Sequence, residues 1–231
     1  MGKTISERVI RVFRLALEIL NSSEIPYVVG GAYALHFYTG VWRDTHDLDI
    51  YLEEKYVQKS IDALSSVGFK DYGEMAAGDR DWIYHAVKRD VLVDLIWQPP
   101  NGLHPVDESF YARGPVGEFA GVPVRFLPPD ELAWAKVFTL NRHRCDWPDL
   151  FSLIRSSVPG FDWYHLLQKM DDHWALLLAF VIVYDWAYPA EAYRIPNDIR
   201  LELLRRKAEF PMPESRPTRE VILDPWIHTR E

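Results

Sequence analysis

Apolar positions recur along the chain with two periods, about 3.6 and 2, and the balance between them changes near residue 128. Residues 4–22 place Val9, Ile10, Phe13, Leu15, Ala16, Leu17 and Leu20 on one helical face. Thr4 or Ser6 is positioned to cap that helix, and Asn21-Ser22-Ser23 ends it. Tyr27-Val28-Val29 predicts a short buried strand. After Gly30-Gly31, residues 32–38 predict a helix closed by Gly40. Asp47-Leu48-Asp49-Ile50-Tyr51-Leu52 alternates acid and apolar, as a strand with one wet face does. Residues 53–67 predict a second helix ended by Gly68, and 69–72 a short strand. Residues 73–81 are polar and glycine-containing and predict a mobile loop. Residues 82–87 and 91–97 then predict a hairpin about Lys88-Arg89-Asp90.

Pro99-Pro100-Asn101-Gly102 interrupts the pattern, and residues 103–120 show little periodicity. Residues 122–127 predict one more strand. Pro128-Pro129-Asp130 then opens a helix, with proline in the first turn and acid at the N-terminus. Further helices are expected near 130–141, 147–156, 162–170, 172–186 and 197–209. From Pro211 the chain is proline-rich and polar, though Val221-Ile222-Leu223 and Trp226 are placed to dock on a surface. The change at 128 predicts a first domain over 1–127, a helical region over 128–210 and a tail over 211–231. No repeat or low-complexity tract is present.

Composition narrows the function classes. The chain has 231 residues, 48% hydrophobic and 26% charged, enough for a sizeable core. Nine tryptophans and twelve tyrosines are assigned mostly to that core. A net charge of −8 argues against gripping extended nucleic acid, although Arg142, His143 and Arg144 form a local basic patch. The single cysteine, Cys145, allows no intrachain disulfide and fits a reducing, cytoplasmic setting. No apolar run is long enough to span a bilayer, and no membrane partner is expected.

The candidate chemistry lies in the first half. On a strand, Asp47 and Asp49 point to the same side, with Cα atoms about 6–7 Å apart. Carboxylates that close repel unless a cation joins them, and oxygen-only sites suit Mg²⁺. Asp94 interrupts the apolar run Val91-Leu92-Val93-Asp94-Leu95-Ile96-Trp97, where an unpaired carboxylate is costly. Gly30-Gly31 allows close approach of backbone to a ligand, and amides at a helix start attract phosphate. Each feature alone has a plain structural reading: a strand-to-helix turn for the glycines, a solvated edge for the strand acids. No histidine or cysteine spacing suggests zinc, and no serine elbow or Walker-type loop is present.

Diglycine, a fifteen-residue spacer, Asp47-Leu48-Asp49 and a later strand acid occur in order. This resembles the signature of the nucleotidyltransferase superfamily, the polymerase-beta-like fold. Arg43-Asp44-Thr45-His46-Asp47-Leu48-Asp49 resembles the Arg-x-Thr-x-Asp-Leu-Asp form of bacterial and archaeal minimal nucleotidyltransferases, a broad group that includes abortive-infection-type toxins and antibiotic-modifying enzymes. The resemblance covers residues 27–97 well and implies an α+β fold, a mixed sheet flanked by helices and followed by a helical region. Lys136, and the segment Arg142 to Leu150 with Asp146, are similar to the helical half of the abortive-infection-type enzymes. Cys145 departs from the lysine or arginine usual there.

The resemblance implies a metal-dependent transfer of NMP from NTP to an acceptor hydroxyl, with release of pyrophosphate. Asp47, Asp49 and Asp94 would be the catalytic and metal-binding acids, holding two Mg²⁺ ions, with Mn²⁺ as a substitute. Asp94 would also serve as general base. Gly30, Gly31, Arg43, Thr45, Lys136 and Asp146 would lie on the nucleotide side. Lys136 pairing with Asp146, or reaching solvent, is an equal alternative. The acceptor stays open between a small hydroxylated molecule such as an antibiotic, the 3′ end of an RNA, and a protein side chain. Rival readings are a non-catalytic nucleotide-binding module on the same fold and a helical interaction protein with a structural sheet. The helices after 128 also leave a homodimer open.

Overall fold

The acid–apolar alternation over Asp47–Tyr51 sets which face of the first half's sheet is buried. In the computed structural model, residues 5–42, 45, 47–73, 79–99, 102–140 and 144–209 are described. The expectations placed on Thr4, Arg43, His46, Arg142, His143 and the 211–231 tail lie outside them, as does most of the loop expected at 73–81. The chain divides into two compact units, 1–128 and 129–231.

In the first unit, helix α1 (Glu7–Ser22) starts at Ser6, whose hydroxyl accepts from the Val9 amide at 3.3 Å. Its apolar stripe, Val12, Phe13, Ala16, Leu17 and Leu20, is buried. The strands are β1 (Val28–Val29), β2 (Asp47–Tyr51), β3 (Lys70–Asp71), β4 (Ile83–Lys88) and β5 (Val91–Ile96). They form one mixed sheet in the order β1-β2-β5-β4-β3. Only the central pair, β2 with β5, is parallel. Leu48, Ile50, Val93 and Leu95 are fully buried on the side opposite the acids, as alternation requires. Helix α1 packs against β5 and against α3 (Val57–Ser66).

The hairpin β4–β5 turns through Arg89 and Asp90 alone, at φ +52° and +61°. Two central residues at positive φ give the backbone twist that matches the two strands. Helix α2 (Gly31–Thr39) follows β1 directly and ends at Gly40, φ +68°. The segment with little periodicity holds helix α4 (Glu108–Arg113) and strand β6 (Val116–Phe119), which the apolar pattern does not predict. Strand β6 pairs with β7 (Val122–Arg125) as a separate ribbon. The ribbon continues toward β1, where the Leu127 amide donates to the Val29 carbonyl at 2.8 Å.

The second unit comprises helices α5 (Pro129–Val137), α6 (Trp147–Arg155), α7 (Trp163–Met170), α8 (Trp174–Ala187) and α9 (Asn197–Glu209). Asp162 caps α7 by accepting from the Tyr164 and His165 amides. Leu132, Leu150, Leu153, Leu177 and Phe180 supply much of its core. Among the described residues, no helix is long and apolar enough to cross a membrane.

Candidate active site

Two features of the sheet converge at one place. Alternation on β2 puts Asp47 and Asp49 on the same face. Parallel pairing then sets Asp49 beside Asp94 of β5, residue against residue. The result is a cluster in which one carboxylate oxygen from each of Asp47, Asp49 and Asp94 lies within 4.8 Å of the others. Thr45 Oγ donates to Asp47 Oδ1 at 2.5 Å and fixes that side chain.

The diglycine turn closes over this face. The Gly30 amide donates to the Asp49 carbonyl at 2.9 Å, so the turn continues the ladder between β1 and β2. Gly31 sits at φ +54°. A β-carbon there would fall 1.6 Å from Asp49 Oδ2, so only glycine brings the start of α2 this near the carboxylate. A β-carbon at Gly30 would meet the Tyr51 ring at 2.3 Å. Both glycines therefore answer to close packing against β2.

On the far side of Asp94, His85 of β4 stands directly opposite in antiparallel register. Its Nδ1 lies 2.7 Å from Asp94 Oδ1. Burial raises the Asp94 pKa, the hydrogen bond and charge of His85 lower it, and the Asp47 charge raises it; the net direction is upward. The field of the cluster also reaches Tyr33 on α2. Burial, then the charges of Asp47 and Asp49, push its phenol well up. The Tyr33 hydroxyl is buried with no hydrogen-bond partner among the described residues.

Three closely held carboxylates with a raised pKa among them make a donor set for a hard divalent cation. A cation between them removes the repulsion that now opposes ionisation of Asp94. The residues therefore fit Mg²⁺ or Mn²⁺.

The predicted residues of the second unit form another group. Lys136 Nζ donates to Asp146 Oδ2 at 3.0 Å and to Asp149 Oδ2 at 2.6 Å, and its side chain is 7% exposed. Arg144 also donates to both oxygens of Asp146. Burial alone would raise the Asp146 carboxyl. The Arg144 hydrogen bond and the Lys136 charge outweigh it and hold the group well below the usual range. Sequence reasoning anticipated the Lys136–Asp146 pair as an alternative but did not single out Asp149.

A further charged group joins α5 to α7. Glu131 bonds to His165 Nε2 at 2.8 Å and to the Lys169 ammonium, while His165 lies 3.6 Å from Asp130. Asp130 and Glu131 are each 1% exposed. They stand in the first turn of α5, as the acid-at-N-terminus pattern predicts, and there they form an internal network. The Lys169 ammonium is a cation already in place, so the arrangement cross-links two helices.

The model of the family described as "Nucleotidyl transferase of unknown function (DUF2204)" matches residues 9–149. The chain belongs to this family. The match takes in the diglycine turn and Asp47, Asp49 and Asp94, so the cluster lies within the segment that the nucleotidyltransferase family model matches. Among solved structures, an antigenic nucleotidyltransferase-like protein from Paracoccidioides brasiliensis is 16% identical, with a TM-score of 0.50 over 82% of this chain and 94% of that one. The antibiotic-resistance factor ANT(2'')-Ia is 17% identical, with a TM-score of 0.46 over 88% and 95% of the two chains. The lincomycin-bound lincosamide antibiotic adenylyltransferase LnuA is 15% identical, with a TM-score of 0.45 over 67% and 98%. No curated protein sequence matches. The fold of this nucleotidyltransferase is thus α+β, with the mixed sheet of the polymerase-beta-like superfamily and a helical region after it.

Proposed function

We propose that the nucleotidyltransferase moves an NMP from an NTP to an acceptor hydroxyl, with release of pyrophosphate, in a reaction that depends on a divalent cation. The observation that carries this reading is the meeting of Asp47, Asp49 and Asp94 within 4.8 Å, beside the glycine turn that opens α2. Asp47, Asp49 and Asp94 are the residues to hold Mg²⁺ ions, two in number, with Mn²⁺ as a substitute. Bound there, the metal supplies Lewis-acid stabilisation of phosphoryl charge and a lowered pKa for the attacking hydroxyl.

The chain's own groups supply the rest. The turn at Gly30 and Gly31 lets phosphate oxygens approach backbone amides at the start of α2, where the helix favours negative charge. His85 engages Asp94 Oδ1, which leaves Oδ2 as the oxygen to accept the proton from the acceptor hydroxyl. The acceptor oxygen attacks the α-phosphorus, the bond to the bridging oxygen breaks, and pyrophosphate leaves with that electron pair. Catalysis on this reading is mainly positioning and charge stabilisation. Thr45 bears on the site through Asp47, and Arg43 of the same segment is assigned to the triphosphate. Lys136 and Asp146 are engaged with each other inside the second unit, where Lys136 also faces Asp149.

The acceptor belongs to one of three classes: a small hydroxylated molecule, an RNA 3′ end, or a protein side chain. The net charge of −8 favours the first and third over an extended nucleic acid. The test offers α-labelled ATP, GTP, CTP and UTP with Mg²⁺ to representatives of each class. Label on an acceptor, lost in Asp49→Asn, supports the reading. Tight nucleotide binding with no labelled product from any class points to a nucleotide-binding module.

A further inference from the structure

The catalytic face is a single lateral row across four neighbouring positions of the sheet. Gly30 donates its amide to Asp49, Asp49 stands beside Asp94 in parallel register, and Asp94 stands beside His85 in antiparallel register. Side chains that share a lateral row point to the same face. The row therefore ends in an imidazole that touches Asp94 and lies nine residues from it in sequence, on the other arm of the hairpin.

We propose that His85 is a positioning residue that sets which oxygen of Asp94 the metal and acceptor meet. The inference rests on the reading of Asp94 as a metal-binding acid and general base. Asp94 is nearly buried, with a side chain 8% exposed, whereas His85 is 22% exposed. A buried carboxylate on a strand can rotate about its last bond and offer either oxygen. A donor 2.7 Å from Oδ1 removes that freedom and commits Oδ1 to the histidine. An ionised carboxylate only accepts, so His85 Nδ1 carries the proton of this bond. The same bond supplies the hydrogen-bonding partner that a metal-holding carboxylate requires outside the metal itself.

The register makes this placement firm. His85 and Asp94 are held by a six-residue antiparallel ladder with a two-residue turn, so neither can slip without moving every side chain of the hairpin to the other face. The Tyr72 ring meets the His85 ring edge-on at 6.5 Å, and the Tyr72 amide donates to the His85 carbonyl. The imidazole is thus carried on strand backbone and bounded by Tyr72, the residue that follows β3, a rigid mount for an orienting group.

Three variants separate positioning from mere filling. His85→Asn keeps an N–H near the Nδ1 position, His85→Gln moves it about one bond outward, and His85→Leu removes it. The readout is Mn²⁺ affinity by electron paramagnetic resonance on the full chain, with KM and kcat for NTP measured alongside. Loss of such an orienting partner is expected to weaken Mn²⁺ binding about 10–100-fold in His85→Leu and His85→Gln. kcat should fall by a similar factor, KM for NTP should change little, and His85→Asn should recover most of both. Thermal unfolding checks that each variant is folded; because His85→Gln preserves polarity and volume, it reports even where His85→Leu is unstable. If the parent binds Mn²⁺ and both His85→Gln and His85→Leu bind it equally well, the positioning role is overturned and the metal-site reading stands. If the parent binds no Mn²⁺, the metal-site reading fails and the inference falls with it.

Discussion

Gly31 and Asp49 are in contact through an atom that glycine lacks: a β-carbon at Gly31 would lie 1.6 Å from Asp49 Oδ2. Gly31→Ala must therefore displace the carboxylate, and at φ +54° it also strains the backbone. The carboxylate is the softer of the two, so the cluster yields first. Gly31→Ala is expected to lose at least about tenfold in divalent-metal affinity and to destabilise the fold by more than about 1 kcal/mol. Metal titration and thermal unfolding of the same sample read both effects. Unchanged metal affinity would remove Gly31 from the site.

Asp94 gives a pH dependence of defined sign. Burial, opposed by His85 and reinforced by Asp47, raises its folded pKa above the ordinary 3.8. A raised acid favours the folded state below its unfolded pKa, and that contribution is lost as pH climbs through the folded value. Metal-free parent protein should thus lose stability relative to Asp94→Asn as pH rises from 4 to 7. Adding Mg²⁺ at about 100 times its Kd should stabilise the parent by about 2.7 kcal/mol and leave Asp94→Asn nearly unmoved. Melting curves with chelator and with Mg²⁺ at several pH values check it; a variant that gains as much from Mg²⁺ as the parent contradicts it.

Asp146 has the opposite sign. Its folded pKa lies below 3.8 because Arg144 and Lys136 outweigh the effect of burial. The resulting stabilisation is present above the unfolded pKa and is lost as pH falls through the folded one. Asp146→Asn should cost about 3 kcal/mol at pH 7, the low end for breaking a buried pair because Asp149 still faces Lys136. The gap between variant and parent should begin to narrow only below the unfolded value of 3.8, so denaturant titrations at pH 7 and pH 3 should show a partial loss, with most of the gap still present at pH 3.

The turn between β4 and β5 holds two non-glycine residues at positive φ, Arg89 and Asp90. Asparagine followed by glycine suits that geometry better. The double substitution Arg89→Asn, Asp90→Gly is expected to stabilise the first unit by about 0.5–2 kcal/mol without altering NTP turnover. A drop in stability would mean that the turn has another conformation in solution.

The sequence carried the central acids plainly because β2 alternates strictly and has only five residues in which to do so. Gly30-Gly31 was legible as a close approach, but its contact with Asp49 depends on the fold. His85 was not legible as part of the site. Its proximity to Asp94 comes from hairpin register, which was expected near Lys88-Arg89-Asp90 but not to the residue. Helix α4 and strand β6 escaped because both are short and their apolar residues do not track burial: α4 buries only Phe110, and in β6 Val116 is exposed while Gly117 takes one of the two more sheltered positions. Asp130 and Glu131 were legible only as helix-start acids, because the partners of Glu131, His165 and Lys169, lie more than thirty positions away.

Calorimetry of NTP binding to the purified chain, with Mg²⁺ and with chelator, beside Asp49→Asn, tests the central claim most directly. The account predicts binding of at least one NTP that requires Mg²⁺ and is lost in Asp49→Asn while the variant's fold is retained. Binding that is indifferent to Mg²⁺ and to Asp49, or no binding of any NTP, would contradict it.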